Sequence, residues 1–208
     1  MKITKLGHCC LLIEENSLRI LTDPGAYSKG FEQCTNIDII LITHEHPDHF
    51  HIDSLKKVLL NSPDAKIITN ASVGKLLDKE NISYTLLNQG MKYIEDIEIE
   101  AFGEWHAIIY NAFPVVENTG YFIANKLFYP GDAFTNPMKH VKILAVPVNG
   151  PWVKISDAID YALKIKPDVC FPVHDGNMID RTGTHNHLKR AVSAVGIELV
   201  TLESPEEF

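Results

Sequence analysis

Thr43-His44-Glu45-His46-Pro47-Asp48-His49 follows directly on the apolar run Ile37-Asp38-Ile39-Ile40-Leu41-Ile42, and the reading of this stretch decides the fold. The run has the length and β-branched content of a buried strand. Three imidazoles and a carboxylate therefore fall on the turn that leaves its C-terminal end, the edge where open α/β sheets place their ligands. Residues two apart in extended chain point the same way, so His44 and His46 can grip one cation. Asp48 and His49 come round the turn at Pro47 to face a second. The bland alternative is a solvated, His-rich loop. With only ten His in 208 residues, so dense a pattern is rare by chance, and the metal reading is preferred.

The spacing His-x-His-x-Asp-His after a strand resembles the signature of the metallo-β-lactamase superfamily. That resemblance implies one site of His44, His46 and His106, a second of Asp48, His49 and His174, and Asp132 between them. It also implies an α/β fold of four layers, an αββα sandwich with metals along the seam of two similar halves. His106 comes just after the alternating segment Ile97–Phe102, Asp132 closes Leu127-Phe128-Tyr129-Pro130-Gly131-Asp132, and His174 ends Val169-Cys170-Phe171-Pro172-Val173-His174. Independently of the family, all three sit at or just past an apolar strand, on the same edge as the first cluster. Alone, Asp132 in Pro-Gly-Asp reads equally well as a turn residue, and His174 as a loop residue. Within the superfamily, Leu6-Gly7-His8-Cys9-Cys10, Leu21-Thr22-Asp23-Pro24 and Phe171-Pro172-Val173-His174 resemble small metal-dependent hydrolases related to the ascorbate-phosphate lactonase. The flavin-dependent di-iron branch fits poorly, because it carries an acidic residue where this chain has His46.

Length and composition suit one domain, residues 1–208, with 45% hydrophobic and 22% charged residues as in ordinary globular proteins. The N-terminal segment reads as too short and interrupted for a signal peptide, and no apolar stretch approaches the roughly 20 residues of a membrane span. A cytoplasmic protein is the simplest expectation, with a homo-oligomer left open. The net charge of −8 includes several would-be ligands, and no run of Lys or Arg forms a nucleic-acid track. Cys9, Cys10, Cys34 and Cys170 lack Cys-x-x-Cys spacing and read as reduced, mostly buried residues. On a strand, Cys9 and Cys10 would point to opposite faces and share no metal.

Helices are expected with Asp53 capping a segment through Asn61, with Ser72 capping one that carries Val73, Leu76 and Leu77, and from Ser156 to a stop at Pro167. Strands are expected over 65–69, 97–102, 120–124, 143–148, 168–173 and 197–202. His51, His140, His185 and His187 read as surface or helix-start residues.

Two divalent cations are expected as cofactors, Zn²⁺ first, with Mn²⁺ or Fe²⁺ also suited to His and carboxylate ligands. Open coordination would supply a metal-bridging hydroxide as nucleophile. The target would be a small, anionic ester, lactone or phosphoester. Asp48 would orient the nucleophile and take its proton, and His8 would hydrogen-bond substrate or protonate the leaving group. Asp23 is a candidate partner for a ligating imidazole, with a plain Asp-Pro-Gly turn as the alternative. Trp152 would floor a pocket or simply pack. The segments between Asp23 and Asn36, and between His106 and Gly120, would wall the site. The rival functions are an RNA or phospholipid phosphodiesterase and a mononuclear iron oxidoreductase on the same fold.

Overall fold

In the computed structural model, residues 1–94, 96–203 and 206–208 are described, the side chains of Tyr93 and Ile94 excepted. The first half supplies β1 (Lys2–Lys5), β2 (Leu11–Glu15), β3 (Leu18–Thr22), β4 (Ile39–Leu41), β5 (Lys66–Thr69) and β6 (Thr85–Leu86), with α1 (Ile52–Asn61) and α2 (Ala71–Lys79) between the last three. The second half supplies β7 (Gly90–Ile94), β8 (Ile97–Phe102), β9 (Gly120–Ile123), β10 (Leu127–Tyr129), β11 (Ile143–Pro147), β12 (Val169–Val173) and β13 (Glu198–Leu199), with α3 (Ile155–Ile165) and α4 (Thr182–Ser193). A short β14 (Glu206–Glu207) returns to pair with β1, so the sheets run β14-β1-β2-β3-β4-β5-β6 and β13-β12-β11-β10-β9-β8-β7.

Strand parity builds the layers. Ile39 and Leu41 enter the core shared by the two sheets, while Ile40 and Ile42 pack on the other side with Leu55 and Val58 of α1 and Val73 and Leu77 of α2. In the second sheet Ile143 and Ala145 face the shared core, whereas Leu144 and Val146 meet Ala158 and Ala162 of α3 and Leu188 and Val192 of α4. The result is the expected αββα order. Burying each such aliphatic side chain contributes about 2 kcal/mol, which is why central strands apolar on both faces hold the site's frame.

Element boundaries differ from expectation where side-chain hydrogen bonds override propensity. Helix α1 begins at Ile52, with His51 at the cap position and its Nδ1 2.9 Å from Ser54 Oγ. Asp53 lies in the first turn, where its charge favours the helix dipole. Asn70, not Ser72, caps α2, its Oδ1 accepting from Val73 N at 3.1 Å. Helix α3 starts at Ile155 and ends at Ile165, with Lys166 left-handed just before Pro167. The last strand shrinks to Glu198–Leu199, an edge strand paired to β12 alone.

Candidate metal centre

Strand direction gathers the site. β3, β4 and β5 are parallel, as are β10, β11 and β12, and β8 runs with β10 because both are antiparallel to β9. The chain leaving β4 carries His44, that leaving β8 carries His106, that leaving β10 carries Asp132, and that leaving β12 carries His174. β2 is antiparallel to β3, so it starts at the same edge and brings His8 there.

His44, His49, His106, Asp132 and His174 are all buried, and Asp48 keeps its side chain 23% exposed. Asp132 lies at the middle: its Oδ2 is 2.9 Å from His174 Nε2, 3.4 Å from His106 Nε2 and 3.9 Å from His44 Nε2, and its Oδ1 is 3.1 Å from His49 Nε2. Asp48 Oδ2 is 3.3 Å from His174 Nε2 and 3.9 Å from His49 Nε2. Ligand atoms of His44, His46 and His106 lie within 4.8 Å of one another, as do those of His44, His49 and Asp132. The structure thus brings together all seven residues anticipated as ligands.

The protons of these imidazoles follow from their outer partners. Asp23, a buried carboxylate, takes Oδ2 bonds from His49 Nδ1 at 2.7 Å, Thr43 Oγ1 at 2.7 Å and Tyr129 OH at 2.6 Å, and an Oδ1 bond from Thr43 N at 2.8 Å. His49 must therefore donate from Nδ1, which leaves its Nε2 to face Asp132. Thr43 spends its single hydroxyl proton on Asp23, so it accepts from His44 Nδ1 at 3.0 Å, and His44 also presents a bare Nε2. His106 Nδ1 donates to the Ala107 carbonyl. Nε2 of His44, His49, His106 and His174 and Oδ1 of Asp132 are buried without a hydrogen-bond partner among the described residues. Such a set of inward-facing orphans is costly unless a cation satisfies it, so these residues fit divalent metal.

His8 is built the opposite way. Gly176 N–H donates to its Nδ1 at 3.0 Å, so a neutral His8 carries its proton on Nε2, which points at Asp48 Oδ2 3.4 Å away. Only glycine permits this approach, because a Cβ at position 176 would sit 2.7 Å from the His8 Cα. Burial, the largest influence, lowers the His8 pKa and keeps the ring neutral. His8 therefore offers a hydrogen-bond donor to the cavity and no lone pair.

Charge divides the cavity further. Burial lowers the pKa of His44 well below its ordinary value and lowers that of His46. For His174 burial acts the same way but Cys9, Asp132 and Asp48 outweigh it and push the pKa up to about 10. His49 is likewise raised well above its ordinary value, against burial, chiefly by Asp132. Asp132 and Asp48 are held far below the usual carboxylate range: burial opposes ionisation, but the surrounding imidazoles prevail.

Several neighbours escaped the sequence reading. Trp152 does more than line a cleft and pack on Phe134: its Nε1 donates to Asp132 Oδ2 at 3.1 Å and its ring lies 5.6 Å from His106. Asn118 Oδ1 receives Asp132 N at 3.0 Å and fixes that loop. Asp23 serves as turn and partner at once, since the Gly25 that follows backs onto the Asp48 carbonyl, where a Cβ would fall at 1.8 Å. His185 falls in the first turn of α4, within the helix-start reading, and bonds Asp175 Oδ2 at 2.9 Å beside Lys5, while His140 is exposed and pairs with Asp168. Of the expected walls, Tyr27 stands 5.4 Å from His8, and Ile109, Tyr110, Phe113 and Val115 share a cleft with His46 and His106. No helix among the described residues is long and apolar enough to cross a membrane.

The comparisons agree with this architecture. A Mycobacterium tuberculosis protein is 36% identical over 84% of this chain and 84% of its own length, and a Nanoarchaeum equitans metal-dependent hydrolase is 26% identical over 100% and 99%. A metallo hydrolase structure from Ignicoccus hospitalis superposes with a TM-score of 0.78 at 21% identity, covering 100% of this chain and 98% of that one, and shows the shared fold. Residues 2–174 match the family described as the beta-lactamase superfamily domain, to which this chain belongs as a metal-dependent hydrolase of the metallo-β-lactamase superfamily.

Proposed function

We propose that His44, His46 and His106 hold one divalent cation, that Asp48, His49 and His174 hold a second, and that Asp132 spans the two in hydrolysis of a small anionic ester, lactone or phosphoester. The observation that carries this reading is the convergence of buried, unpartnered Nε2 atoms and Asp132 Oδ1 on one cavity. Zn²⁺ suits the donors best, with Mn²⁺ or Fe²⁺ as alternatives. Cations bound there supply Lewis acidity and water acidic enough to react near neutral pH.

The chain's own groups perform the rest. Asp48, the carboxylate open to solvent, takes the proton that the attacking water gives up. His8 Nε2–H donates to the oxygen on which charge develops, and Gly176 fixes the ring for that task. Trp152 N–H draws charge from Asp132 and holds its orientation. The apolar cleft beside His46 gives the substrate a hydrocarbon wall. Metal analysis of purified protein followed by a panel of lactones, carboxylic esters and phosphodiesters tests the reading. It expects bound cations and chelator-sensitive hydrolysis of one class, and a chain that takes up no Zn²⁺ or Mn²⁺ overturns it.

A further inference from the structure

We propose that the Cys9 thiolate is an additional ligand of the cation held by His49 and His174. This rests on the metal-centre reading above and adds a donor of a different kind to it. Ligand atoms of His8, Cys9, His49 and His174 lie within 4.8 Å of one another, and all four residues are buried. The imidazole Nε2 atoms of this group have no hydrogen-bond partner among the described residues. His8 leaves the group, because Gly176 N–H occupies its Nδ1 and its Nε2 bears the proton. What remains is one thiol and two imidazoles around a common point, with the Asp48 and Asp132 carboxylates beside it.

The backbone holds the thiol in place. The Cys9 carbonyl accepts from Thr22 Oγ1 at 3.0 Å and from Tyr129 OH at 2.9 Å. Tyr129 OH and His49 Nδ1 both bond Asp23 Oδ2, so the cysteine and the imidazole share one anchor. No acceptor among the described residues takes the Cys9 S–H. Cys10 is the internal control: it lies across the sheet in the outer core with Leu12, Leu21 and Ile40. Binding replaces the S–H bond by a sulfur–metal bond and releases the proton to solvent, without redox change. A soft sulfur donor makes this half favour Zn²⁺, Co²⁺ or Cd²⁺ over Mn²⁺.

The test loads the full chain with Co²⁺ and records its near-ultraviolet spectrum beside its cobalt content. Thiolate-to-cobalt charge transfer should appear in the wild type and in Cys10→Ala, and disappear in Cys9→Ser. Two cobalt ions bound without that band, or a band unchanged in Cys9→Ser, overturns the proposal. Should Cys9→Ser fail to fold, cadmium NMR of the unaltered protein decides. A shift in the sulfur-ligated range supports Cys9, and shifts confined to nitrogen and oxygen ligation reject it. A chain that binds neither metal defeats the metal-centre reading itself, and this proposal with it.

Discussion

The two ends of the cavity are made of similar side chains and tuned in opposite directions. Around His44, His46 and His106 three imidazoles meet, with Asp132 3.4 Å from His106 and 3.9 Å from His44, and burial lowers the pKa of His44 and His46 and favours their neutral form. Around His49 and His174, Asp48 and Asp132 stand within 2.9 to 3.9 Å of the imidazole nitrogens and raise the pKa of both rings. In the two-cation proposal the first end takes metal as neutral imidazoles, and the second releases protons as it does so. The same residue type thus meets two unlike surroundings, and Asp132 is the group both ends share.

Removing that shared group is the harshest way to break the contrast. Asp132→Asn keeps the size but not the charge, so hydrolysis should fall by at least about two orders of magnitude, the scale of losing a transition-state electrostatic contact. Cation content, measured by elemental analysis, should fall with it, and the circular dichroism of the fold should persist. Full occupancy with near-normal turnover would reduce Asp132 to a turn residue after Gly131.

His8 sharpens the contrast from outside, as the donor among acceptors. His8→Ala should lower turnover by about ten- to a hundredfold at unchanged cation content, and His8→Gln, which keeps a side-chain N–H, should recover part of the loss. Loss of a cation in either variant would mark His8 as a ligand instead.

The mildest perturbation lies behind His174, where buried Asp175 joins Lys5 and His185. Burial opposes the Asp175 charge, but His185, Lys5 and Arg181 hold its carboxyl below the ordinary range. Its stabilisation is therefore complete above the unfolded Asp pKa of about 3.9 and is lost as pH falls through the lower folded value. Asp175→Asn leaves Lys5 buried without its counter-charge and should cost about 3 kcal/mol in denaturant unfolding at neutral pH, with less difference in acid. An unchanged midpoint at neutral pH would show the cluster to be inert.

Most of the candidate metal cavity was legible because its parts obey local rules. His44 to His49 are contiguous, and His106, Asp132 and His174 follow apolar strands whose common direction puts their ends on one edge. Asn118 and Gly176 were not legible, and neither were the contacts made by Cys9 and Trp152, since each acts through a partner far along the chain. Gly176 reaches His8 across 168 positions, a contact no periodicity announces. Asn70 displaced Ser72 as a cap for a related reason: it also reaches the Thr43 carbonyl at 2.8 Å, tying α2 to the metal loop.

Cation content as a function of pH tests the central claim most directly. Below the pKa values of His49 and His174 a cation must displace their protons, so affinity at that end should fall about tenfold per proton for each pH unit, while the neutral His44 end is spared at first. Zn²⁺-loaded protein dialysed at decreasing pH should go from two cations per chain to one before losing the second, and His174→Ala should lack the first step. Simultaneous loss of both cations, or the same two-step curve in His174→Ala, would contradict a cavity with two unequal ends.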